Sequence, residues 1–247
     1  MSYRTIIYEK KGQIACITLN RPRAQNAINA RMAQELADAC RQVNEDEEIS
    51  AVLLLAAGDN FSSGSDPGEW ELAGGAPRAI ASLERVVIAA INGDALGEGL
   101  ELALSCDIRV AADGARFCLP HTGYGLIPRG GGTQRLPRLV GRGKALEMIL
   151  TAEPIDAAEA HRIGLVNRVV PSGELLGEAE EIARRVVSCG PIALRYCKEA
   201  VNKGLDLTLE QGLGLEADLY FLIQTTADRM EGIRAFLEKR PPQFKGR

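Results

Sequence analysis

AAINGDALGEGLELALSCDIRVAA, residues 89–112, holds a strand end, a glycine turn, a helix and a second strand in one unbroken stretch. The run VVIAAING (86–93) is apolar throughout and stops at a glycine, as a strand covered on both faces does. Gly97 then opens a helical segment, and DIRVAA (107–112) returns to an apolar strand. Upstream, AVLLLAA (51–57) has the same character and is bounded by Gly58-Asp59-Asn60. Strands alternating with helices imply an α/β protein. Residues 4–19 add two short strands with a turn near Lys11-Gly12, and Arg21-Pro22 ends the second. Met32, Leu36, Ala39, Cys40 and Val43 recur at helical spacing over 29–43, with Asn29 as the N-cap. Beyond the core the pattern becomes helical, over 143–150, 156–162, 174–188, 191–203 and 207–239, with Pro241-Pro242 as the stop. LVNRVV (165–170) adds a short strand. The division expected is an α/β core over 1–190 and a helical C-terminal segment over 191–247, packed on its own core or on a neighbouring subunit.

The composition fits that architecture. The chain has 247 residues, 46% hydrophobic and 25% charged, enough apolar material for a core that needs no staples. A net charge of −4 leaves no basic field for nucleic acid. An anionic ligand must therefore be held by local cations and backbone amides. Six cysteines are scattered without a C-x-x-C pair, which argues against zinc or dithiol redox sites and fits a reducing compartment. The N-terminus lacks an apolar signal region, and no apolar run reaches the roughly 20 residues of a membrane span. The expectation is a cytoplasmic protein without a membrane segment.

Three glycine-rich segments carry the candidate chemistry: FSSGSD (61–66), INGDALGEGLELA (91–103) and IPRGGGTQRL (127–136). Glycines after a strand let backbone N–H groups approach a ligand, and two such loops can aim two donors at one oxygen. For any single loop the plain alternative is an ordinary strand–helix connection. Gly97-Glu98-Gly99 lacks the third glycine of a dinucleotide fingerprint, and no Walker A lysine is present. Glu101 sits one turn into its helix, where the helix dipole favours a carboxylate and where a general base beside an oxyanion hole would also stand. His121 follows twenty residues later in LPHTGYGL, structural or catalytic on these grounds alone. His161, in AAEAHRIGL, reads as a helix-surface residue.

In order along the chain, LNRPRAQNAIN (19–29), FSSGSD (61–66), residues 89–112, FCLPHTGYGLIPRGGGTQRLPRLVG (117–141), A-x-E-A-x-x-x-GLV (157–166) and MEGIRAFLEKRPPQFKG (230–246) resemble the enoyl-CoA hydratase/isomerase (crotonase) family. The resemblance covers nearly the whole chain. It implies a crotonase-like spiral of ββα units with a helical C-terminal trimerisation segment, a homotrimer or dimer of trimers, an acyl-CoA thioester as substrate, and no metal or redox cofactor. It places an oxyanion hole at the backbone N–H groups of Ser65 and Glu98. Glycine is the common residue at the second position, so Glu98 either keeps its backbone donor or stands as a solvated helix-terminus charge. CoA contacts carried over are Arg23, Ala24 and Ala27, then Ser63, Asp66 and Pro67 by the hole, with Phe236 and Lys239 from a neighbouring subunit. Arg23 and Lys239 suit the phosphates and Ala24 the adenine side; Gly68 replaces a lysine often found there. Pro120 and Tyr124 also fall at the site, and Tyr124 and Trp70 suit the wall of the acyl pocket.

The catalytic pair departs from the family pattern. Hydratases that resemble this chain carry two glutamates at this spacing; here the positions hold Glu101 and His121. Histidine serves as acid or base near neutrality but offers one donor and one acceptor where a carboxylate offers two acceptor oxygens. The leading expectation is an enoyl-CoA hydratase or dehydratase in which Glu101 activates water and His121 orients it or delivers the α proton. The alternatives are another enolate reaction on an acyl-CoA (isomerisation, decarboxylation or C–C hydrolysis) and a non-catalytic acyl-CoA binder.

Overall fold

The computed structural model describes residues 3–69 and 75–247, so Trp70 lies outside the described residues. β1 (Ile6–Lys11) and β2 (Ile14–Leu19) form an antiparallel hairpin that turns at Gly12, φ 61°. α1 (Ala30–Glu45) starts where its cap predicts: the Asn29 side chain accepts the Met32 amide, and the expected five residues form the buried stripe. β3 (Ala51–Ala56), α2 (Gly75–Ala81) and β4 (Val86–Ile91) follow, then β5 (Ala95–Leu96), α3 (Glu98–Leu104), β6 (Ile108–Ala112) and β7 (Arg116–Cys118). A 3-10 helix, Pro120–Tyr124, leads to α4 (Gly132–Val140) and α5 (Arg142–Thr151). β8 (Ile155–Asp156), α6 (Ala157–Arg162), β9 (Arg168–Val170) and α7 (Leu175–Val187) close the core, and α8 (Pro191–Gly204), α9 (Leu209–Ile223) and α10 (Ala227–Glu238) complete the chain.

Six strands form one sheet in the order β1-β2-β3-β4-β6-β9, parallel from β2 onward. Its residues alternate between two apolar layers. Val52, Leu54, Val87 and Ala89 face α1 and α2, while Ala51, Leu53, Ile88 and Ala90 pack with Leu175, Ala179, Ile182 and Ala183 of α7. Coverage on both faces explains why these strands read as continuous apolar runs. A second sheet, β5-β7-β8, stands apart from the first and carries α3 at its edge.

Two expectations of local structure change. The segment 127–136, read as a loop, contains the start of α4, and the short strands β5, β7 and β8 were not distinguished in the sequence. Cys16, Cys40, Cys106 and Cys118 are buried, Cys189 and Cys197 are exposed, and all six are free thiols. His161 is exposed on α6, as read. Among the described residues no helix is long and apolar enough to cross a membrane. On α9 and α10, Leu209, Tyr220, Phe221, Phe236 and Leu237 are exposed.

Candidate active site

Ligands of open parallel sheets gather beyond the carboxyl ends of the strands. The loops that leave β3 and β4 there are 57–66 and 92–97. They run side by side: Leu96 donates its amide to the Ser62 carbonyl at 2.9 Å, Ser62 donates to the Asp94 carbonyl at 2.9 Å, and Ser62 bridges Ala95 in parallel. Continued in that register, Ser65 falls beside Glu98.

Glycines permit the approach. Gly64 has φ 102°, and a Cβ there would stand 3.0 Å from the Leu96 carbonyl and 3.5 Å from the Glu98 amide nitrogen. Gly97, φ 52°, turns the chain into α3, and a Cβ on Gly99 would collide with the Ser62 carbonyl at 2.6 Å. Position 98 itself is the first residue of α3, in helical backbone open to any L residue. Glutamate there therefore requires no unusual backbone conformation. Its side chain is not a solvated charge, however. Glu98 is 2% exposed and its Oε2 accepts the Ser65 hydroxyl at 2.7 Å.

Glu101 lies one turn further along α3 and is buried. Its Oε1 accepts the amides of Gly130 at 2.7 Å and Gly132 at 2.8 Å, at the N-terminus of α4. The third glycine segment thus has a role that sequence reasoning missed. A Cβ on Gly130 would stand 3.0 Å from the Glu101 carboxylate, and one on Gly132 3.1 Å from its Oε1. Successive glycines at a helix start are an anion cradle, and that signal was available in Gly130-Gly131-Gly132. Oε2 faces the other way, 3.8 Å from His121 Nε2. Burial raises the Glu101 pKa, with the Glu98 charge adding to it and the Gly132 and Gly130 amides opposing it. Burial also lowers the pKa of His121, whose Nδ1 is buried without a hydrogen-bond partner among the described residues. Burial thus opposes charge on both members of the Glu101–His121 pair.

A cleft of about 720 Å³ opens over these groups. Of the residues singled out in the sequence, Ser63, Ser65, Pro67, Glu98, Pro120, His121 and Tyr124 line it. Glu101 does not; it is buried, 3.8 Å from the His121 imidazole that lines the cleft. Leu126, Ile127, Cys118 and Arg116 also line the cleft and were not singled out. Only the apolar pair in GYGLIP (123–128) hinted at a hydrophobic wall.

The remaining expected CoA contacts separate into two groups. Arg23, exposed, and Ala24 lie in a 3-10 helix, Pro22–Ala24, next to the loop that carries Ser63. Ser63 donates its amide to the Gln25 carbonyl at 3.0 Å, and Ile28 donates to Gly64 at 2.7 Å. Ala27 is buried, and Asp66 pairs with Arg21 at 2.8 Å while Arg21 also donates to the Ala27 carbonyl. Ala27 and Asp66 thus hold the turn against the site. Phe236, 82% exposed, and Lys239, the C-cap of α10, do not line the cleft of their own chain. Among the described residues no group of three or more His, Cys, Asp or Glu side chains is placed to hold a metal ion.

The comparisons agree with this architecture. The chain is 43% identical to a crotonyl-CoA hydratase of Syntrophomonas wolfei, with 99% of each chain covered. It is 41% identical to a short-chain-enoyl-CoA hydratase of Clostridium acetobutylicum, over the full length of both. The crystal structure of an enoyl-CoA hydratase from Bacillus anthracis superposes with a TM-score of 0.96 at 40% identity, covering 99% of this chain and 100% of that one. The expected crotonase-like α/β fold is therefore the fold observed. Because the family model for enoyl-CoA hydratase/isomerase also matches residues 9–247, in the order of the motifs described above, the chain belongs to that family.

Proposed function

We propose that the protein is an enoyl-CoA hydratase acting on a short-chain acyl-CoA thioester. The observation that carries this reading is the Glu101 carboxylate, fixed through Oε1 by two amides and directed through Oε2 at His121, one helical turn from the Glu98 amide. The thioester oxygen sits between the N–H groups of Ser65 and Glu98. Glu101 takes a proton from water as the oxygen adds to Cβ, and the electron pair of the double bond moves onto the thioester oxygen as an enolate. The enolate collapses as Cα accepts a proton. That proton is the one Glu101 took from water, passed to Cα directly while His121 orients the water, or relayed through His121, so that both groups end in their starting states. The names of the crotonyl-CoA and short-chain-enoyl-CoA hydratase relatives support the substrate class.

Arg23, Ala24, Ser63 and Pro67 border the path for CoA, and no cofactor beyond the substrate's own CoA is proposed. The exposed apolar residues of α9 and α10 support a homotrimer or dimer of trimers in which 191–247 is the oligomerisation segment, 1–190 the catalytic core, and Phe236 and Lys239 reach a neighbour's CoA. A cytoplasmic location suits free thiols and an acyl-CoA substrate.

The test is loss of the conjugated thioester absorbance of crotonyl-CoA with wild type, Glu101→Gln, His121→Ala and His121→Glu. Hydration by wild type, with most of kcat lost in Glu101→Gln and His121→Ala, supports the Glu–His site. Wild type that binds crotonyl-CoA without hydrating it, with hydration gained in His121→Glu, would move the native reaction to another enolate step, the reading favoured by an imidazole where the family's hydratases carry a carboxylate.

A further inference from the structure

The two residues whose amides form the oxyanion hole are joined a second time, through their side chains. The Ser65 hydroxyl donates to Glu98 Oε2 at 2.7 Å, and the acceptor is 2% exposed. Hydroxyl-to-carboxylate bonds are among the stronger neutral-to-charged contacts, and removing either partner forfeits that bond inside a dry site. The loops bearing these residues are tied at their base by the Leu96-to-Ser62 and Ser62-to-Asp94 backbone bonds, both 2.9 Å, and nearer the hole they meet through small groups, Gly64 against Gly97 and Gly99 against Ser62. The backbone bonds hold the loops at residues 62 and 94–96, whereas the glycine-to-glycine contact of Gly64 with Gly97 permits close approach without a side chain to interlock there.

We infer that Glu98 is a positioning residue whose carboxylate, held by the Ser65 hydroxyl, sets the separation of the two oxyanion amides. The inference rests on the proposed role of those amides. An oxyanion hole works when its donors are already placed where charge develops. A loop free to drift by a fraction of an ångström would weaken binding of a ground-state thioester less than binding of an enolate. The clamp therefore acts on the enolate selectively. It also has a cost, since a carboxylate beside the hole opposes a second negative charge. Glutamine at 98 keeps an acceptor for Ser65 and removes that charge. Alanine at 65 keeps the charge and removes the hydroxyl that donates to it. Enolate stabilisation should accordingly rank Glu98→Gln at or above wild type, wild type above Glu98→Ala, and Ser65→Ala lowest.

The experiment titrates the full-length protein with acetoacetyl-CoA, whose enolate absorbs in the near ultraviolet, and with saturated butyryl-CoA as the ligand that forms no enolate. Wild type, Ser65→Ala, Glu98→Ala, Glu98→Gln and the double alanine variant are compared. Ser65→Ala should weaken the enolate complex about tenfold, with the double variant no worse than Ser65→Ala alone, which is the non-additivity of residues acting as a pair. Butyryl-CoA affinity should fall less than affinity for the enolate, because a neutral thioester carbonyl makes weaker bonds to the same amides than an enolate oxygen does. Ser65 and Glu98 effects that add independently, or that weaken butyryl-CoA equally, would overturn the clamp as a positioning device. A wild type that raises no enolate band would overturn the oxyanion hole itself, and with it the clamp.

Discussion

Oε2 of Glu101 lies 3.8 Å from Nε2 of His121, while Oε1 of the same carboxylate is bound by two backbone amides. Oε1 is thus committed to the start of α4, while Oε2 faces the imidazole. Replacing Glu101 by Gln preserves an acceptor for Gly130 and Gly132 but removes the base. Turnover of crotonyl-CoA should fall by about 10²–10⁴-fold, the usual worth of a positioned general base, with KM changed little. Steady-state kinetics on the purified variant check this; an unchanged kcat would remove Glu101 from the proton transfer.

The same pair makes opposite contributions to stability across pH. Burial raises the Glu101 pKa above the ordinary 4.5, so folding disfavours its ionised form. Its contribution is fully present below 4.5 and is lost as pH rises through the raised folded value. Burial lowers the His121 pKa below the ordinary 6.5, so its contribution is present above 6.5 and is lost as pH falls through the lowered value. Glu101→Gln should therefore be more stable than wild type by about 0.5–2 kcal/mol near neutrality, with the advantage vanishing toward pH 4. His121→Gln should gain on wild type only below pH 6.5. Thermal unfolding across pH 4–8 measures both differences, and a Glu101→Gln advantage that grows on acidification would contradict the sign.

Which parts of this arrangement the sequence discloses follows from how local their causes are. β3, β4 and β6 are legible because burial on both faces writes an unbroken apolar run into each. α1 is legible because its cap and its stripe lie within its own residues. β5 is two residues long and exists through its pairing with β7, which no local pattern announces. The site divides in the same way. Glu101 is found from its place one turn after Gly97, but its partners at 130 and 132 lie 29 and 31 residues away. Glu98 reads locally as a helix-terminus charge because its partner, Ser65, is 33 residues distant in sequence.

Gly99 tests whether the two loops must touch. A Cβ there would lie 2.6 Å from the Ser62 carbonyl and 2.7 Å from the Ser62 Cβ, both close to backbone that cannot rotate away. Gly99→Ala should push α3 off the 62–65 loop, at a cost of about 1–3 kcal/mol for overpacking. Because Ser65 and Glu98 ride on those two elements, kcat should fall more than crotonyl-CoA affinity does. Gly114→Ala, where an added Cβ meets nothing within 4 Å, is the control that should leave both kinetic constants near wild type.

Asn26 tests the other wall of the site, the turn that carries Arg23 and Ala24. It is fully buried at φ 53°, a left-handed conformation that asparagine tolerates better than most residues. Its Oδ1 accepts the Arg21 amide at 2.9 Å, its Nδ2 donates to the carbonyls of Ala57 at 2.8 Å and Asn60 at 2.9 Å, and its own carbonyl accepts the Ser62 hydroxyl. One side chain therefore ties the turn to the end of β3 and to the loop of the oxyanion hole. Asn26→Ala removes the side-chain partner of three part-buried backbone groups and places alanine in a strained conformation, so stability should fall by about 1–3 kcal/mol. At temperatures where the variant remains folded, the turn should loosen while Glu101, anchored on α4, stays in place. KM for crotonyl-CoA should then rise several-fold, with kcat falling less. A variant that loses kcat with KM intact would instead show that Asn26 acts through the oxyanion loop alone, and that the 22–24 turn contributes little to holding CoA.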